Sequence, residues 1–495
     1  MNTFYKLIVA GGLLVVTTSC DKEDWLNPSP TSMLTEDVVF SSEDRIVAML
    51  NGLYATLKDG DFYGTRYPIF SDIRSGDFVS TNLNPNIGAL TYLCQVESGS
   101  LEVEQVWEQG YQVINACNTF LAGMEKEGNA VVGESAAQYN AEAKAIRALT
   151  YYALLQLYAQ PYAKDNGSSP GLPLRLAPNV GLADYNLARS SVAEVYGQVL
   201  RDFDEAEMAV PDAYGSDLLN TTRIHKNTVR ALKVRVYLSM ANYPKVKEEA
   251  AKLVFGTADF TAAGSGGVVH ALEPDIANVF AAPYVTKESI FSLAFTNNDV
   301  PGVALGNYYL PLRADAGPTM TTGQGQFYVN AAGTVSSENW SQTDARRGFI
   351  FATPSGGQEG RLWLTKFKAP SPFTDYVPVI RYAEVLLAYA EAVLHTDGNA
   401  GVPQALALLN AVRHRSDPGY VFAVDGVDDL IAKIWEERQI EFLGEGLSSS
   451  DLLRTLRPIP AKNPPGALSV PGVSPDGAQY TWPLPNSELL YNEAI

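Results

Sequence analysis

The sequence predicts an all-α dominated protein built from tetratricopeptide-like helix pairs, with one irregular region of loops and short strands inserted. Two observations predict this fold. Long stretches carry apolar residues at helical spacing, and Gly, Asn, Asp or Pro separates them at short intervals. Residues 257–376 lack that period and are rich in Gly, Asn, Thr, Ser and aromatic residues. A long irregular region on a helical scaffold is a common place for a binding surface.

The first half of the chain is expected to form helices in close succession, with a loop at 60–100. Helices are expected at about 42–57, 101–126, 141–162, 191–209, 228–241 and 245–254. The third of these is the most apolar, its small alanines allow a close neighbour, and Pro161 ends it. Ser191 and Glu194 have the spacing of a capping box at the start of the fourth. No regular tetratricopeptide consensus is present, so the repeat is degenerate.

Three further helical patterns lie near the end of the chain, at 378–395, 405–415 and 430–446. Strand-like runs at 288–295 and 361–367 fall inside the irregular region. We therefore expect one domain over 41–495. Its helical scaffold covers 41–256 and 377–456, its irregular region 257–376, and its Pro-rich tail 457–495.

The first nineteen residues are a targeting segment. Lys6 supplies a positive charge, residues 7–16 are apolar, and small residues precede Cys20. This order resembles a bacterial lipobox, in which Cys20 becomes a lipidated N-terminus; a plain signal peptide with an incidental Cys is the alternative. Residues 20–40 are then an acidic, extended tether, and two acyl chains on Cys20 anchor the protein stably to a membrane.

The charge balance argues against a nucleic-acid partner. There are 36 Lys and Arg against 55 Asp and Glu, which gives 36 − 55 = −19. Binding to phosphate backbones requires clustered Lys and Arg, and the sequence contains no basic patch.

Cys94 and Cys117 are the only cysteines besides Cys20. In an oxidising envelope they could pair, and spacing alone leaves this open. Cys117 lies on an apolar helix face, where it could equally be a small buried hydrophobic residue.

Glu437 and Glu441 could suggest the two carboxylates of a glycosidase. Spaced four residues apart, they lie on one helix face with Cβ atoms about 6 Å apart. A glycosidase pair flanks its sugar from opposite sides, which one helix face does not allow. Arg438, Arg381 or Arg413 are the expected partners in a structural ion-pair network.

The sequence contains no pattern for a metal centre or a nucleotide site. The four histidines, at 225, 270, 395 and 414, lack metal-ligand spacing, and no phosphate-binding loop or nucleophile motif is present. No cofactor is expected. A structural Ca²⁺ held by loop Asp side chains and carbonyls stays open, because such ligands need no fixed spacing.

A series of motifs follows along the chain in a fixed order. They are Cys20; Trp107, Tyr111 and Asn118; the helix at 142–162 followed by 171–174; the stretch 189–207; Arg230 and Arg235; Arg381, Glu384 and Glu391; Asn410 and Arg413; Glu437, Arg438, Glu441 and Glu445; and Trp482, Glu488 and Asn492. With these motifs the chain resembles, over nearly its whole length, the SusD/RagB family of outer-membrane nutrient-binding lipoproteins. One departure is at 447–450, where Leu-Ser-Ser-Ser stands in place of Arg and an aromatic residue.

The resemblance implies a SusD-like α superhelix on the cell surface, without catalysis, that binds an oligosaccharide. It also implies delivery of this nutrient to a SusC-like TonB-dependent transporter in the outer membrane. Two alternatives are a peptide-binding or adhesion module of the same fold and a lipid-anchored glycoside hydrolase.

In the family, the ligand site is formed by the loop after the first helix and the irregular region. Sugar binding requires aromatic faces for ring CH groups, with Asp, Asn and Arg for hydroxyls. The candidates of these types are Asp72, Arg74, Asp77, Asn82, Asn84 and Tyr92 in the first loop, and Tyr284, Tyr308, Tyr309, Phe327, Tyr328 and Trp340 in the second region. Tyr308 and Tyr309 are favoured, because in an extended stretch one ring would pack while the other faces ligand.

Overall fold

A computed structural model describes residues 36–495, except 82–83, 181–184, 317–319, 355–357 and 467. About 52% of the chain is helical, which confirms the all-α dominated class. The α-helices are Glu36–Val39 (α1), Glu43–Leu57 (α2), Arg66–Arg74 (α3), Ala89–Leu93 (α4), Leu101–Gly123 (α5), Asn129–Val132 (α6), Ala136–Tyr158 (α7), Tyr162–Asp165 (α8), Val192–Ala209 (α9), Asp217–Thr222 (α10), Lys226–Ser239 (α11), Tyr243–Ala251 (α12), Leu305–Tyr309 (α13), Tyr382–Asp397 (α14), Val402–Ser416 (α15), Gly426–Glu441 (α16), Ser448–Arg454 (α17) and Asn486–Tyr491 (α18).

The strands are short and belong to two antiparallel sheets. They are Phe78–Val79 (β1), Ser289–Leu293 (β2), Tyr328–Val329 (β3), Ile350–Ala352 (β4), Leu362–Leu364 (β5) and Val377–Arg381 (β6). One sheet has the order β1-β3-β5-β4, and β2 pairs with β6 in the other.

The scaffold is built from helices that pack on their neighbours in the chain. α5 packs on α7, α7 on α9, α9 on α11, and the succession continues through α12, α14, α15 and α16. The tetratricopeptide-like arrangement predicted from the sequence is therefore confirmed.

α7 is the centre of the scaffold, as predicted. From Ala141 to Tyr158 every residue except Lys144 is buried, including the small alanines. Because neighbouring helices cover α7 on all sides, its sequence lacks a polar face along this stretch. The helix ends at Tyr158, three residues before Pro161.

The capping box at the start of α9 is also present. The Ser191 hydroxyl accepts a hydrogen bond from the Glu194 backbone N–H at 3.2 Å, and the Glu194 carboxylate accepts one from the Ser191 N–H at 2.7 Å. Two of the N–H groups that a helix start leaves without partners are satisfied in this way.

Two element predictions were wrong in part. The stretch 60–100 contains the helices α3 and α4 rather than only loop. Every residue of α3 is buried, so it carries no amphipathic period that a sequence reading could detect. The helix expected from 378 begins at Tyr382, because residues before it form β6, in which Ile380 pairs with Phe291 of β2.

The N-terminal predictions lie outside the described residues: the signal peptide 1–19, Cys20 and most of the tether 20–40. In the described part of the chain, no helix is both long and apolar enough to cross a membrane. Cys94 and Cys117 are both buried as free thiols, so the disulfide left open by the sequence is not formed in this structure.

Candidate functional site

The structure joins the first loop to the irregular region through a shared sheet. Phe78 and Val79 of β1 pair with Val329 and Tyr328 of β3, and Val329 also pairs with Leu362 of β5. The two regions expected to form the binding site therefore meet, although they are about 250 residues apart in the chain.

Asp72 and Tyr309, one predicted residue from each region, are hydrogen-bonded to each other. The Tyr309 hydroxyl donates to Asp72 Oδ2 over 3.1 Å, and the Gly446 N–H donates to the same oxygen over 2.9 Å. Asp72 Oδ1 is buried and finds no hydrogen-bond partner among the described residues. Burial raises the pKa of Asp72 to about 8, against the lowering effect of the two donors.

Arg74 and Tyr92 hold the C-terminal tail against the first loop. Arg74 Nη2 donates to the carbonyl of Tyr480 at 2.7 Å. Lys462 Nζ lies 4.3 Å from the centre of the Tyr92 ring and donates to the Tyr92 carbonyl at 2.6 Å. Burial lowers the pKa of Lys462 to about 8. Both predicted side chains are buried, so they build the frame of the site rather than its surface.

The remaining first-loop candidates differ in position. Asp77 is buried, and its Oδ1 accepts from the Thr334 N–H at 2.9 Å. Asn84 is half-buried, and its side chain caps the turn of 3₁₀-helix at Pro85–Ile87. Asn82 lies outside the described residues.

The prediction that Tyr308 and Tyr309 lie in an extended stretch was wrong. They form the end of the short helix α13, and both rings are buried. Tyr309 packs against Phe78, with ring centres 4.8 Å apart, and Tyr308 against Phe327 at 6.4 Å. Adjacent positions of a helix do not point to opposite faces as those of a strand do, and packing on Phe78 and Phe327 encloses both rings.

Trp340 is buried as well. The Arg347 guanidinium lies 4.2 Å from the centre of its ring, and Arg347 also donates to the backbone carbonyl of Val335 at 2.8 Å. The pair braces the loop that precedes β4.

Tyr328 is buried, with 8% of its surface exposed, and lies in the sheet that joins the first loop to the irregular region. It is covered by Arg361, whose half-buried guanidinium lies 4.2 Å from the Tyr328 ring centre and 5.8 Å from that of Trp363. The Trp363 indole N–H donates to Thr353 Oγ1 at 2.9 Å, which fixes the ring beneath. We call Tyr328, Trp363 and Arg361 the sheet platform. Arg361 was missed by the sequence analysis, because no local pattern marks it.

Tyr284 is half-buried and pairs with a residue that was not predicted. Its ring stacks on that of Tyr376, with centres 4.9 Å apart and an angle of 27° between planes. The Tyr284 hydroxyl donates to Asp375 Oδ1 over 3.3 Å. Two adjacent, partly exposed tyrosine rings with a carboxylate beside them have the composition expected of a sugar-contacting surface.

Glu437 and Glu441 belong to a buried ion-pair cluster, as the sequence predicted. We define the cluster as five cations and five anions, with no side chain more than 4% exposed: Arg346, Lys366, Arg381, Arg413 and Arg415 with Glu288, Asp344, Glu437, Glu441 and Glu445. The charges balance, and the members come from both the C-terminal helices and the irregular region.

Glu441 is the anion with most partners in this cluster. It lies 2.5 Å from Arg415 and 2.9 Å from both Arg346 and Arg381. Burial alone would raise the pKa of Glu441, but the three guanidinium groups hold it well below its usual value. A permanently ionised, enclosed carboxylate has neither the raised pKa of a general acid nor access to a substrate.

Two further buried ion pairs lie outside this cluster, and the first replaces the pairing expected for Arg438. Arg438 pairs with Asp451 at 2.8 Å rather than with its neighbours in α16. Glu384 pairs with Arg235 at 2.6 Å. The first pair connects the consecutive helices α16 and α17, whereas the second connects α11 to α14 across 149 positions, which sequence spacing does not predict.

Two of the four histidines lie together in the core. The rings of His225 and His270 are stacked 5.4 Å apart with 13° between planes, and both are buried. Among the described residues, no three His, Cys, Asp or Glu side chains converge as metal ligands. The structural Ca²⁺ left open by the sequence stays untested.

Three clefts of about 500, 560 and 650 Å³ lie elsewhere on the described surface, and none is lined by a predicted binding residue. Volumes of this size are typical of ligand sites. The smallest of the three contains the motif residues Trp107, Tyr111 and Glu488.

Comparisons with known proteins agree with this architecture. Residues 24–238 match a SusD-like family described as starch-binding and associating with the outer membrane, and residues 369–494 match the SusD/RagB family itself. SusD-like protein P2 of Formosa agariphila is 25% identical, over 99% of this chain and 98% of its own length.

Solved structures are similar over most of the chain. A SusD superfamily protein from Bacteroides fragilis is 29% identical, covers 92% of this chain and 99% of its own, and has a TM-score of 0.79. Surface glycan-binding protein A from Bacteroides thetaiotaomicron, solved in complex with laminarihexaose, is 17% identical. It covers 92% of this chain and 98% of its own, with a TM-score of 0.71. Two SusD families match the two ends of the chain, and a SusD superfamily structure shares the fold over most of its length, so the chain belongs to the SusD/RagB family, as its sequence motifs predicted.

Proposed function

We propose that this protein is a cell-surface lipoprotein that binds an oligosaccharide and delivers it to a SusC-like TonB-dependent transporter in the outer membrane. Cys20 carries the lipid, and residues 20–40 form the tether. The protein binds its ligand without cleaving it.

The observation that carries the proposal is the sheet platform. A half-buried guanidinium is held over an aromatic ring at the sheet where the first loop and the irregular region meet. Its N–H groups can donate to sugar hydroxyls, while the Tyr328 and Trp363 rings, 8% and 0% exposed, support the guanidinium from beneath. Family membership and the laminarihexaose complex of a protein with the same fold support a glycan as the ligand class.

The buried frame beneath the platform supports this function. The Asp72–Tyr309 hydrogen bond, the Arg74 and Lys462 anchors and the ion-pair cluster fix the first loop, the tail and the irregular region to one another. A rigid, preformed surface binds a flexible oligosaccharide at a lower entropic cost than a mobile one does.

Isothermal titration of the purified protein against a panel of neutral and anionic oligosaccharides, laminarihexaose included, tests the binding step. We expect Arg361→Ala to weaken binding of the recognised glycan about tenfold, which is the loss of one or two good contacts. Arg457→Ala is the matched control. The Arg457 guanidinium also lies over an aromatic ring, 4.6 Å from the centre of the Trp435 ring, but neither residue belongs to the sheet platform.

Three results would contradict parts of the proposal. Tight binding of a peptide mixture without any glycan binding favours the peptide-binding alternative. Release of reducing ends by the purified protein favours the hydrolase alternative. Equal binding by wild type, Arg361→Ala and Arg457→Ala removes the sheet platform as the site.

Delivery to a transporter is tested in the native membrane. Cross-linking of the lipid-anchored protein in outer membranes, followed by mass spectrometry, should recover a TonB-dependent transporter encoded next to it. Loss of surface labelling in a Cys20→Ala strain tests the anchor. Recovery of no transporter from cross-linked membranes would contradict the delivery step.

A further inference from the structure

The 500 Å³ cleft on the helical scaffold lies outside the site described above. It is bounded by α5, by the loop at 175–179 and by α18. We call it the helix-face cleft, and its lining includes Trp107, Tyr111, Asn115 and Tyr491. No residue of the sheet platform lines it.

The aromatic floor of the helix-face cleft is fixed in position. The Trp107 and Tyr111 rings lie 4.7 Å apart. The Trp107 indole N–H donates to Glu488 Oε2 at 3.3 Å, and the Tyr111 hydroxyl donates to the Pro173 carbonyl at 2.9 Å. Each ring is held by packing against the other and by a hydrogen bond of its own, so the floor is preformed.

The rim carries an aromatic ring that the fold leaves in water. Tyr491 is 84% exposed, and the preceding Leu490 is 72% exposed. Large apolar side chains concentrated at the edge of a cleft commonly mark a binding surface. A tyrosine ring is suited to stacking on a sugar, because it combines an apolar face with a hydroxyl at its end.

The polar groups of the cleft are mostly hydrogen-bond acceptors or amides. Glu108 and Gln112 are exposed and lie 3.3 Å apart. Asn115 is held by Asn179, whose backbone N–H donates to Asn115 Oδ1 over 2.7 Å. Carboxylate and amide oxygens accept hydrogen bonds from hydroxyl groups, which a saccharide supplies in number.

The net charge of the residues that line the cleft favours neutral over anionic saccharides. Three carboxylates, those of Glu104, Glu108 and Glu488, stand against the single guanidinium of Arg175, which gives −3 + 1 = −2. Arg175 is itself 3.4 Å from Glu488. Uronic or sulfated saccharides would be repelled, whereas neutral ones would not.

We infer that the helix-face cleft binds a neutral saccharide, with Tyr491 as its stacking platform. This inference rests on the proposed function and adds a second site, so that one glycan chain, or two separate ones, contacts the protein at two places. Two weak sites joined by one polymer give higher overall affinity than either gives alone.

The test uses the full chain and the neutral glycan that binds most tightly in the titration panel. We expect two sites per chain for short oligosaccharides. Tyr491→Ala should weaken one of them about tenfold, and Tyr491→Phe, which keeps the ring, should bind within about twofold of wild type. Val421→Ala is the control, since Val421 is 83% exposed and lines none of the clefts.

A charge reversal tests the selectivity. Glu108→Lys changes the lining from −2 to 0 and should permit binding of an oligogalacturonate that wild type rejects. Equal rejection by both proteins would overturn the assignment of selectivity to the lining charge.

The outcomes separate the two proposals. Absence of any glycan binding by wild type overturns the proposed function and this inference with it. Glycan binding that Arg361→Ala weakens but Tyr491→Ala leaves unchanged, at one site per chain, overturns only this inference. Peptide binding that depends on Tyr491, with glycan binding unaffected, assigns the cleft to a polypeptide and overturns it as well.

Discussion

The hydroxyl of Tyr309 donates a hydrogen bond to Asp72 Oδ2 across 237 positions of sequence, and so ties the irregular region to the first loop. The carboxyl group is buried, and the Gly446 N–H is its second donor. Because burial raises the pKa of Asp72 to about 8, this bond is made by a neutral acid at pH 7.

We expect Asp72→Asn to change how stability depends on pH. A carboxyl group whose folded pKa is raised stabilises the protein below its unfolded pKa, near 4, and loses that contribution as pH rises through 8. Wild type and variant should therefore have similar urea midpoints at pH 5. At pH 9 the variant should be more stable by more than ~1 kcal/mol. A difference that is the same at both pH values would contradict the raised pKa.

Glu441→Gln should destabilise the protein strongly. The substitution removes one negative charge from between Arg346, Arg381 and Arg415 in a site closed to water. The free energy of unfolding should fall by about 3–5 kcal/mol. Urea unfolding measures the loss. The control is Asp397→Asn, because the Lys247–Asp397 pair is about one-third exposed and should leave the midpoint nearly unchanged.

The same Glu441 variant separates a structural role from a catalytic one. The fraction of Glu441→Gln that is folded should bind the glycan with the affinity of wild type. Release of reducing ends by wild type that disappears in the variant would instead support the hydrolase alternative.

His225 and His270 should make the protein sensitive to acid. Burial lowers the pKa of His225 to about 3 and that of His270 to about 4. The unfolded chain takes up protons on these rings near pH 6.5 and the folded chain does not, so stability falls as pH falls from about 6.5 towards 4. We expect His225→Phe to reduce that loss by on the order of 2 kcal/mol, measured by urea unfolding at pH 7 and pH 4.5. An unchanged slope would mean that His225 is charged in the folded protein.

In a Cys20→Ser chain, Cys94 and Cys117 should be counted as two free thiols once the protein is unfolded. Both are buried, and burial raises the pKa of Cys117 to about 12, so neither should react with Ellman's reagent in the native state. Addition of urea without reductant should release two thiols per chain. A peptide map that links the two cysteines under non-reducing conditions would contradict this prediction.

The helices were predictable because their signals are local. The apolar stripe of α2, the Ser191–Glu194 capping box and the alanine-rich α7 each lie within about twenty residues, and hydrogen bonds within a helix connect near neighbours. The helices α3 and α4 and the strand β6 were missed for the opposite reason. α3 is buried on every side, and β6 exists only because β2 lies beside it.

The candidate binding residues were predictable by region and not by side chain. Of the aromatic candidates, Tyr284 is half-buried, and Tyr328 contributes through the Arg361 above it, while Tyr309 and Trp340 are enclosed. Arg361, Tyr376 and Tyr491 were overlooked. The family motif around Trp107, Tyr111 and Glu488 was the signal that could have led to the helix-face cleft, since these residues line it together.

The sequence by itself determined the family, the helical scaffold and the structural role of the Glu437–Glu441 face. The family was identified from the ordered set of motifs along the chain. The scaffold and the role of the two glutamates follow from periodicity, caps and charge spacing, which act between residues close in the chain. Only the tertiary structure decided which aromatic rings reach solvent, which cation meets which carboxylate, and where the clefts lie. Burial and ion pairing depend on residues that are hundreds of positions apart and meet only when the chain folds.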